Sequence, residues 1–190
     1  MTGMNRWTSH AAGLLVIDIQ DRLIGAIDGG ERVVWNASRL IRAANLLKIP
    51  VWATEQYPRG LGPTVASLAA TLPAPLPKTT FHALGAAGLR DSLRDADVAH
   101  LTLTGIEAHV CVAQTALELN GIGYRVQVVA DAVGSRSTLD FQVALRRLAA
   151  EGVTITTTEA VLFEWTERSD RPEFKAISTL VKESPPAATS

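Results

Sequence analysis

Short apolar segments alternate with segments of helical periodicity along most of this 190-residue chain. Residues 14–17 form a continuous apolar run, which is typical of a parallel strand buried on both faces. Residues 31–48 follow with apolar side chains at helical spacing. Parallel strands need a long crossover connection between them, and a helix usually supplies it. The alternation therefore predicts an α/β fold.

The same pattern continues to the end of the chain. Further strands are predicted at 50–54, around Lys78, and at 98–104, 125–130 and 153–157; a Pro- and Gly-rich loop is predicted at 57–63, and helices at 64–70, 110–120, 137–148 and, in two pieces, 159–182. Six strands with helical crossovers predict a three-layer, doubly wound α/β fold with a mainly parallel sheet. We expect one domain over residues 1–190, with a core at about 13–182 and flexible ends at 1–10 and 184–190.

Charge and cysteine content indicate which binding partners and which cellular compartment to expect. The formal net charge is -1 and no basic cluster occurs, so we expect neither nucleic acid nor an anionic membrane as a partner. The single cysteine, Cys111, cannot form an intramolecular disulfide, which suits a reducing cytosol. Polar residues interrupt the first apolar run too early for a signal peptide or a membrane span. The sequence therefore predicts a soluble cytoplasmic protein.

Polar side chains follow the ends of the predicted strands. In open α/β sheets, ligands bind outside the carboxyl ends of the strands. The residues at these positions are Asp18 and Gln20 after the first strand, Glu55 and Gln56 after the second, Lys78 near the third, residues 105–111 after the fourth and Asp131 after the fifth. An acid, a lysine and a cysteine from three strand ends are therefore expected to converge on one pocket.

Cys111 lies between the fourth strand and the next helix. Backbone N–H groups and the helix dipole favour a thiolate at a helix N-terminus, where a nucleophile is useful. The alternative is an inert thiol, because free cysteines are among the most buried residues. Asp18 has an alternative role as the cap of a turn, and Lys78 as an exposed charge. The combination of the three residues favours a catalytic site.

Three motifs resemble the isochorismatase-like cysteine hydrolase superfamily. They are Leu-Leu-Val-Ile-Asp-Ile-Gln at 14–20, Lys-Thr-Thr-Phe at 78–81 and Gly-Ile-Glu-Ala-His-Val-Cys-Val-Ala-Gln-Thr-Ala at 105–116, with further matches at 131–136 and 157–159. The resemblance extends from about residue 13 to residue 182. Residues 54–58 and 170–175 resemble the branch that includes the isochorismatase-domain-containing proteins and the bacterial hydrolase YcaC.

The resemblance implies a catalytic triad of Asp18, Lys78 and Cys111. Lys78 is expected to lower the pKa of the thiol. Asp18 is expected to accept the thiol proton or to hold Lys78 in place, then to deliver the proton to the leaving nitrogen and later to activate a water. A thioester or carbamoyl intermediate, formed from a small amide, carbamoyl or related C–N substrate, follows from this triad. The resemblance also implies a cis peptide between Ile106 and Glu107, which would aim the backbone N–H groups of Glu107 and Cys111 at an oxyanion.

The sequence departs from the metal-binding members of the superfamily. Nicotinamidases bind a metal through Asp-x-His and further histidines after the second strand, where this chain has Glu-Gln-Tyr at 55–57. The four histidines, His10, His82, His100 and His109, lie in no ligand spacing. We therefore expect no catalytic metal, no cofactor and no nicotinamidase activity. The histidine within a strand, His100, is expected to be structural.

The predicted substrate pocket takes its residues from the strand ends and from the lysine and cysteine motifs. They are Gln20, Glu55, Gln56, Phe81, His82 and His109. Two alternatives to amide hydrolysis stay open: enol-ether hydrolysis that does not need the cysteine, and a non-catalytic binding or assembly module on the same fold. A dinucleotide-binding enzyme is disfavoured because no G-x-G-x-x-G motif occurs. Apolar positions in residues 59–72 and in the tail, together with the resemblance, predict a homo-oligomer of closed symmetry.

Overall fold

The computed structural model describes residues 6–186. The strands are β1 (Ala12–Ile17), β2 (Val51–Gln56), β3 (Leu76–Lys78), β4 (His100–Ile106), β5 (Arg125–Gly134) and β6 (Thr154–Thr156). The helices are α1 (Asp21–Ile24), α2 (Gly30–Leu47), α3 (Pro58–Leu61), α4 (Ala66–Ala69), α5 (Leu89–Asp95), α6 (Ala113–Gly121), α7 (Thr138–Ala150), α8 (Thr158–Thr166) and α9 (Phe174–Val181). A 3-10 turn spans Ala83–Gly85, and a π-helical turn, Ala108–Val112, leads into α6.

The six strands form one sheet in the order β3-β2-β1-β4-β5-β6. Every neighbouring pair is parallel, which confirms the predicted doubly wound α/β fold. The chain builds outwards from β1 through β2 and β3, and then crosses to the other side at β4. The carboxyl ends of β1 and β4 are therefore the topological switch point, where such sheets bind ligands.

Alternate side chains of β1 face two different helical layers. Leu14 and Val16 pack in a buried cluster with side chains of α2, α8 and α9. Leu15 and Ile17 pack on the opposite face with side chains of α5 and α6. Both faces of β1 are buried, which explains why its sequence is continuously apolar instead of alternating.

Local signals predicted some helix boundaries better than others. The Ser137 side chain accepts a hydrogen bond from the Asp140 N–H at 3.3 Å, as an N-cap of α7. The sequence prediction missed α5, a seven-residue helix with only Leu89 and Leu93 buried. The helix predicted at 64–70 is confined to α4, and the loop predicted at 57–63 contains the single turn α3.

Most of the large exposed apolar side chains lie outside the two segments where the sequence predicted an apolar surface. Within residues 59–72, Val65 and Leu68 are buried against the α2 layer, whereas the small apolar side chains of Ala66, Ala69 and Ala70 are exposed. In the described part of the chain, the large apolar side chains that are exposed are Leu46, Tyr57, Phe81, Ile122, Leu139, Val143 and Phe163. Only Phe163 belongs to the tail segment that was expected to be apolar on its surface.

The first described residues pack against the amino end of the sheet. Trp7 is buried and meets the His100 ring edge-on at 5.3 Å between centroids. His100 Nε2 lies 3.0 Å from the carbonyl oxygen of His10, and burial lowers the pKa of His100, which suits a structural role. Residues 1–5 and 187–190 of the predicted flexible ends lie outside the described residues. Across residues 6–186, no helix has the length and apolar character needed to cross a membrane.

Candidate active site

Asp18, Lys78 and Cys111 meet at the carboxyl edge of the sheet. Asp18 directly follows β1, Lys78 ends β3, and Cys111 lies in the π turn after β4. Lys78 Nζ is 2.7 Å from Asp18 Oδ2 and 3.8 Å from Cys111 Sγ. The side chains of Lys78 and Asp18 are 0% and 2% exposed, and Cys111 is buried as well. The structure therefore brings together the three residues that the sequence singled out.

Close contact between β1 and β4 places Asp18. A Cβ atom on Gly105, whose φ is +152°, would lie 2.3 Å from the Ile17 carbonyl oxygen, so only glycine fits there. Asp18 itself has a positive φ of 55°, and its N–H donates to the Thr54 carbonyl at 3.1 Å. The Thr54 hydroxyl donates to Asp18 Oδ1 at 2.8 Å. Both carboxylate oxygens of Asp18 therefore have a partner, one in Thr54 and the other in Lys78.

Oxygen atoms surround the Lys78 ammonium. Besides Asp18, it donates to Gln56 Oε1 at 2.6 Å, to the Phe81 carbonyl at 3.0 Å and to the Thr80 carbonyl at 3.2 Å. Gln56 is the register partner of Lys78 in the parallel pair of β2 and β3, which explains their contact. An ammonium group has three N–H donors, so more acceptors than donors face it here.

Burial raises the pKa of the Cys111 thiol to about 12. The negative charge of Asp18 and a hydrogen bond from the thiol to its carboxylate also raise this pKa, whereas Lys78 lowers it. The expectation of a depressed thiol pKa was wrong because desolvation and the carboxylate outweigh the single ammonium. Cys111 is therefore a thiol at neutral pH in the resting protein.

The turn that carries Cys111 is tied to the segment that follows Lys78. The Thr115 hydroxyl donates to the Cys111 carbonyl at 2.6 Å and accepts from the Ala83 N–H at 2.8 Å. Thr115 is fully buried, so these two bonds join α6 to the segment after β3 without water. The sequence motifs gave no role to Thr115, although a threonine four residues after the cysteine lies on the same helical face and was a usable signal.

Comparison with known proteins decides the family. The isochorismatase domain model matches residues 12–160, which include Asp18, Lys78 and Cys111. The chain belongs to the isochorismatase family. Isochorismatase domain-containing protein 2 of Danio rerio is 41% identical over 182 residues, which cover 95% of this chain and 92% of that protein.

Solved structures of relatives have the same fold. The structure of MAR1 ribonuclease from Caenorhabditis elegans matches this isochorismatase-family chain with a TM-score of 0.89 at 38% identity, covering 95% of this chain and 94% of the other. YcaC from Escherichia coli, described as an octameric hydrolase of unknown specificity, matches with a TM-score of 0.84 at 23% identity, covering 95% and 91%. The YcaC similarity supports the fold alone. The resemblance inferred from the sequence motifs is confirmed.

The turn before the cysteine differs from the sequence expectation. No cis peptide bond occurs within residues 6–186, so the cis bond expected between Ile106 and Glu107 is absent. The chain instead turns through the left-handed region at Glu107, with φ 54°. Arg136 Nε donates to Glu107 Oε1 at 2.5 Å and holds this side chain in place. The assignment of the Glu107 and Cys111 backbone N–H groups to an oxyanion hole stays a prediction.

Glu55 does not join the site. Side chains alternate between the two faces of a strand, so Thr54 and Gln56 of β2 point towards Asp18 and Lys78 while Glu55 points away. Glu55 Oε1 accepts hydrogen bonds from the N–H of Thr64 at 2.6 Å and from its hydroxyl at 2.8 Å. Glu55 therefore anchors the segment after α3 and does not line the pocket.

Two other predicted pocket residues contribute differently from the expectation. Gln20 is fully buried, and its amide bonds to the backbone of Gln56 and Gly62, so it has no polar atom left for a substrate. The Phe81 side chain is 52% exposed, while its carbonyl oxygen binds Lys78. Both residues support the site through backbone contacts, which side-chain chemistry read from the sequence did not reveal.

The two predicted pocket histidines occupy separate surroundings. His82 is half-buried and lines a groove with Leu117 and Ile122 of the α6 region. His109 Nδ1 lies 3.0 Å from Ser135 Oγ and 3.3 Å from Glu107 Oε2, at the start of the π turn. Within residues 6–186, no group of three or more His, Cys, Asp or Glu side chains is arranged to hold a metal ion.

Proposed function

We propose that this isochorismatase-family protein is a metal-independent cysteine hydrolase that cleaves a small amide, carbamoyl or related C–N bond. The observation that supports the proposal best is the position of Lys78 Nζ, 2.7 Å from an Asp18 oxygen and 3.8 Å from the Cys111 sulfur in a buried site. This arrangement places a base and a nucleophile in contact with the same cation.

The first half of the reaction forms a covalent intermediate. Asp18 accepts the thiol proton as Cys111 Sγ attacks the substrate carbonyl carbon, because a thiol with a pKa of about 12 needs a base in contact with it. The Lys78 ammonium stabilises the negative charge that develops on sulfur. Collapse of the tetrahedral intermediate breaks the C–N bond, and protonated Asp18 returns the proton to the leaving nitrogen. A thioester, or its carbamoyl equivalent, remains on Cys111.

The second half of the reaction releases the acid. Asp18, again a carboxylate, takes a proton from a water molecule that attacks the acyl carbon. The C–S bond breaks, the carboxylic or carbamic acid leaves, and the proton held by Asp18 returns to the Cys111 sulfur. In both halves, the backbone N–H groups of Glu107 and Cys111 are assigned to the substrate oxyanion.

Mass spectrometry tests this proposal directly. Small amides, ureas and carbamoyl compounds are incubated with the protein, and the intact mass is followed for a covalent adduct. We expect a substrate to transfer its acyl group to Cys111. The mass of the adduct should then disappear as the carboxylic or carbamic acid is released. Turnover of a compound without any Cys111 adduct, including cleavage of an RNA substrate as the name of the Caenorhabditis elegans relative suggests, would contradict the C–N hydrolase.

We also propose that the protein is a homo-oligomer in the cytoplasm. Exposed apolar side chains such as Tyr57, Leu139 and Val143 support association. A reduced Cys111 thiol is required for the chemistry, and the cytosol keeps thiols reduced. Light scattering at micromolar concentration is expected to give a multiple of 20.3 kDa, and a mass equal to one chain would refute the oligomer.

A further inference from the structure

The orientation of the Gln56 side-chain amide is determined by two neighbours. Its Nε2 donates to the Thr79 carbonyl at 3.1 Å, so its Oε1 must face the Lys78 ammonium, 2.6 Å away. The opposite orientation would place two N–H groups against an ammonium group. Gln56 therefore presents a neutral acceptor to the same cation that contacts Asp18 and Cys111.

The backbone of Gln56 is fixed as firmly as its side chain. Gln20 Oε1 accepts from the Gln56 N–H at 2.8 Å, and Gln20 Nε2 donates to the Gln56 carbonyl at 3.0 Å and to the Gly62 carbonyl at 2.6 Å. Gln20 is fully buried, so water does not compete for these bonds. The amide oxygen of Gln56 is thus held at one point beside Lys78.

Competition for the three ammonium protons gives Gln56 an influence on the cysteine. The nearest acceptors to Lys78 Nζ are Gln56 Oε1 at 2.6 Å, Asp18 Oδ2 at 2.7 Å and the Phe81 carbonyl at 3.0 Å. Cys111 Sγ, at 3.8 Å, is the most distant of the atoms that Lys78 contacts. Counting the Thr80 carbonyl at 3.2 Å, four oxygens compete with the sulfur for three ammonium protons, and the bond to sulfur is the longest of the five.

We propose that Gln56 is a positioning residue that directs the Lys78 ammonium and limits how strongly its charge acts on the Cys111 sulfur. The proposal deepens the proposed function and rests on it, because it gives Gln56 a role in activating the same nucleophile. A neutral amide suits this role, since a carboxylate at this position would neutralise Lys78 and add a negative charge beside the sulfur. An apolar side chain would remove the nearest of the four oxygens, so that the sulfur competes with fewer acceptors for the ammonium protons.

The test is the rate at which Cys111 reacts with acrylamide between pH 7 and 10. Cys111 is the only cysteine, so intact mass reports this thiol alone. Below the thiol pKa the rate follows the thiolate fraction, and one unit of pKa changes it about tenfold. We expect Gln56→Glu to slow alkylation about tenfold, and Gln56→Met to accelerate it at least about threefold. Alkylation rates that change in opposite directions indicate a positioning role. A merely structural role of Gln56 would change the rates of both variants in the same direction.

The controls vary the same residue type away from the site. Gln142 is exposed on α7, and Gln142→Glu and Gln142→Met are expected to react within about twofold of the wild type. The two charged groups that act on Cys111, Asp18 and Lys78, and the titratable side chains in and beside its own turn, Glu107 and His109, are unchanged in every variant. Gln56→Asp and Gln56→Leu replace Glu or Met if either of those variants fails to fold.

The outcomes separate this inference from the proposed function. If both Gln56 variants change the rate in the same direction, or if either reacts within twofold of the wild type, Gln56 does not direct the ammonium. Alkylation needs no substrate, so the measurement stands even if the screen for C–N substrates fails. Opposite rate changes together with a failed screen would refute the hydrolase while supporting the role of Gln56.

Discussion

Replacing Cys111 by alanine is expected to abolish turnover of a verified substrate and to leave fold and substrate binding nearly unchanged. The alanine removes the only thiol in the chain, so no covalent intermediate can form. Loss of a nucleophile in a covalent hydrolase lowers kcat by at least about 10³-fold. Steady-state kinetics give this loss, and calorimetric titration with substrate shows whether binding is kept. Val110→Ala, a change in the same turn, is the matched control and is expected to retain activity within a few-fold.

Asp18→Asn extends the same prediction to the proton carrier. Asparagine keeps the shape of the side chain but cannot accept the thiol proton, so we expect a loss of kcat almost as large as that of Cys111→Ala. Residues that act in one step lose activity non-additively, so the double variant should be little worse than Cys111→Ala alone. Full turnover by Cys111→Ala would rule out the thioester, and enol-ether hydrolysis led by Asp18 would become the leading mechanism. Binding without turnover in the wild type would indicate a non-catalytic module.

Lys78→Met is expected to destabilise the fold by about 3–5 kcal/mol, because it leaves the buried Asp18 carboxylate without its cation. The Lys78 side chain has no exposed surface, so water cannot replace the ammonium. Methionine is apolar and has a length similar to that of lysine, so the loss of stability comes mainly from the lost charge and not from lost volume. Denaturant unfolding at neutral pH measures the change through the shift of the midpoint.

A double variant tests whether the uncompensated carboxylate is the cause. Adding Asp18→Asn to Lys78→Met removes the buried charge, and we expect most of the lost stability to return. Arg94→Met is the control for an exposed ion pair: Arg94 contacts Asp91 at 3.0 Å with side chains 71% and 69% exposed, and its loss should cost less than about 1 kcal/mol. If Lys78→Met loses the same unfolding free energy with and without Asp18→Asn, the pair stabilises the fold through packing and not through charge compensation.

The sequence alone predicted the architecture and the approximate position of every strand. Buried parallel strands such as β1 are continuously apolar, and this local property identifies them without knowledge of their neighbours. The chain order of strands and helices then leaves few possible sheets. The helix α5 was missed because it is short and buries only two side chains, Leu89 and Leu93, which is too weak a periodicity to recognise.

The sequence determined that Asp18, Lys78 and Cys111 reach one edge of the sheet, because parallel strands place all their carboxyl ends there. Only the tertiary structure decided how these groups affect one another. Asp18 and Lys78 are separated by 60 positions in the chain, but their side chains are 2.7 Å apart. Burial of Cys111 and the negative charge of Asp18 raise the pKa of the thiol by more than Lys78 lowers it. The tertiary structure also decided that Gln56 contacts Lys78 while Glu55 binds Thr64. A pKa and a hydrogen-bond partner depend on every group packed around an atom, whereas sequence patterns record only neighbours along the chain.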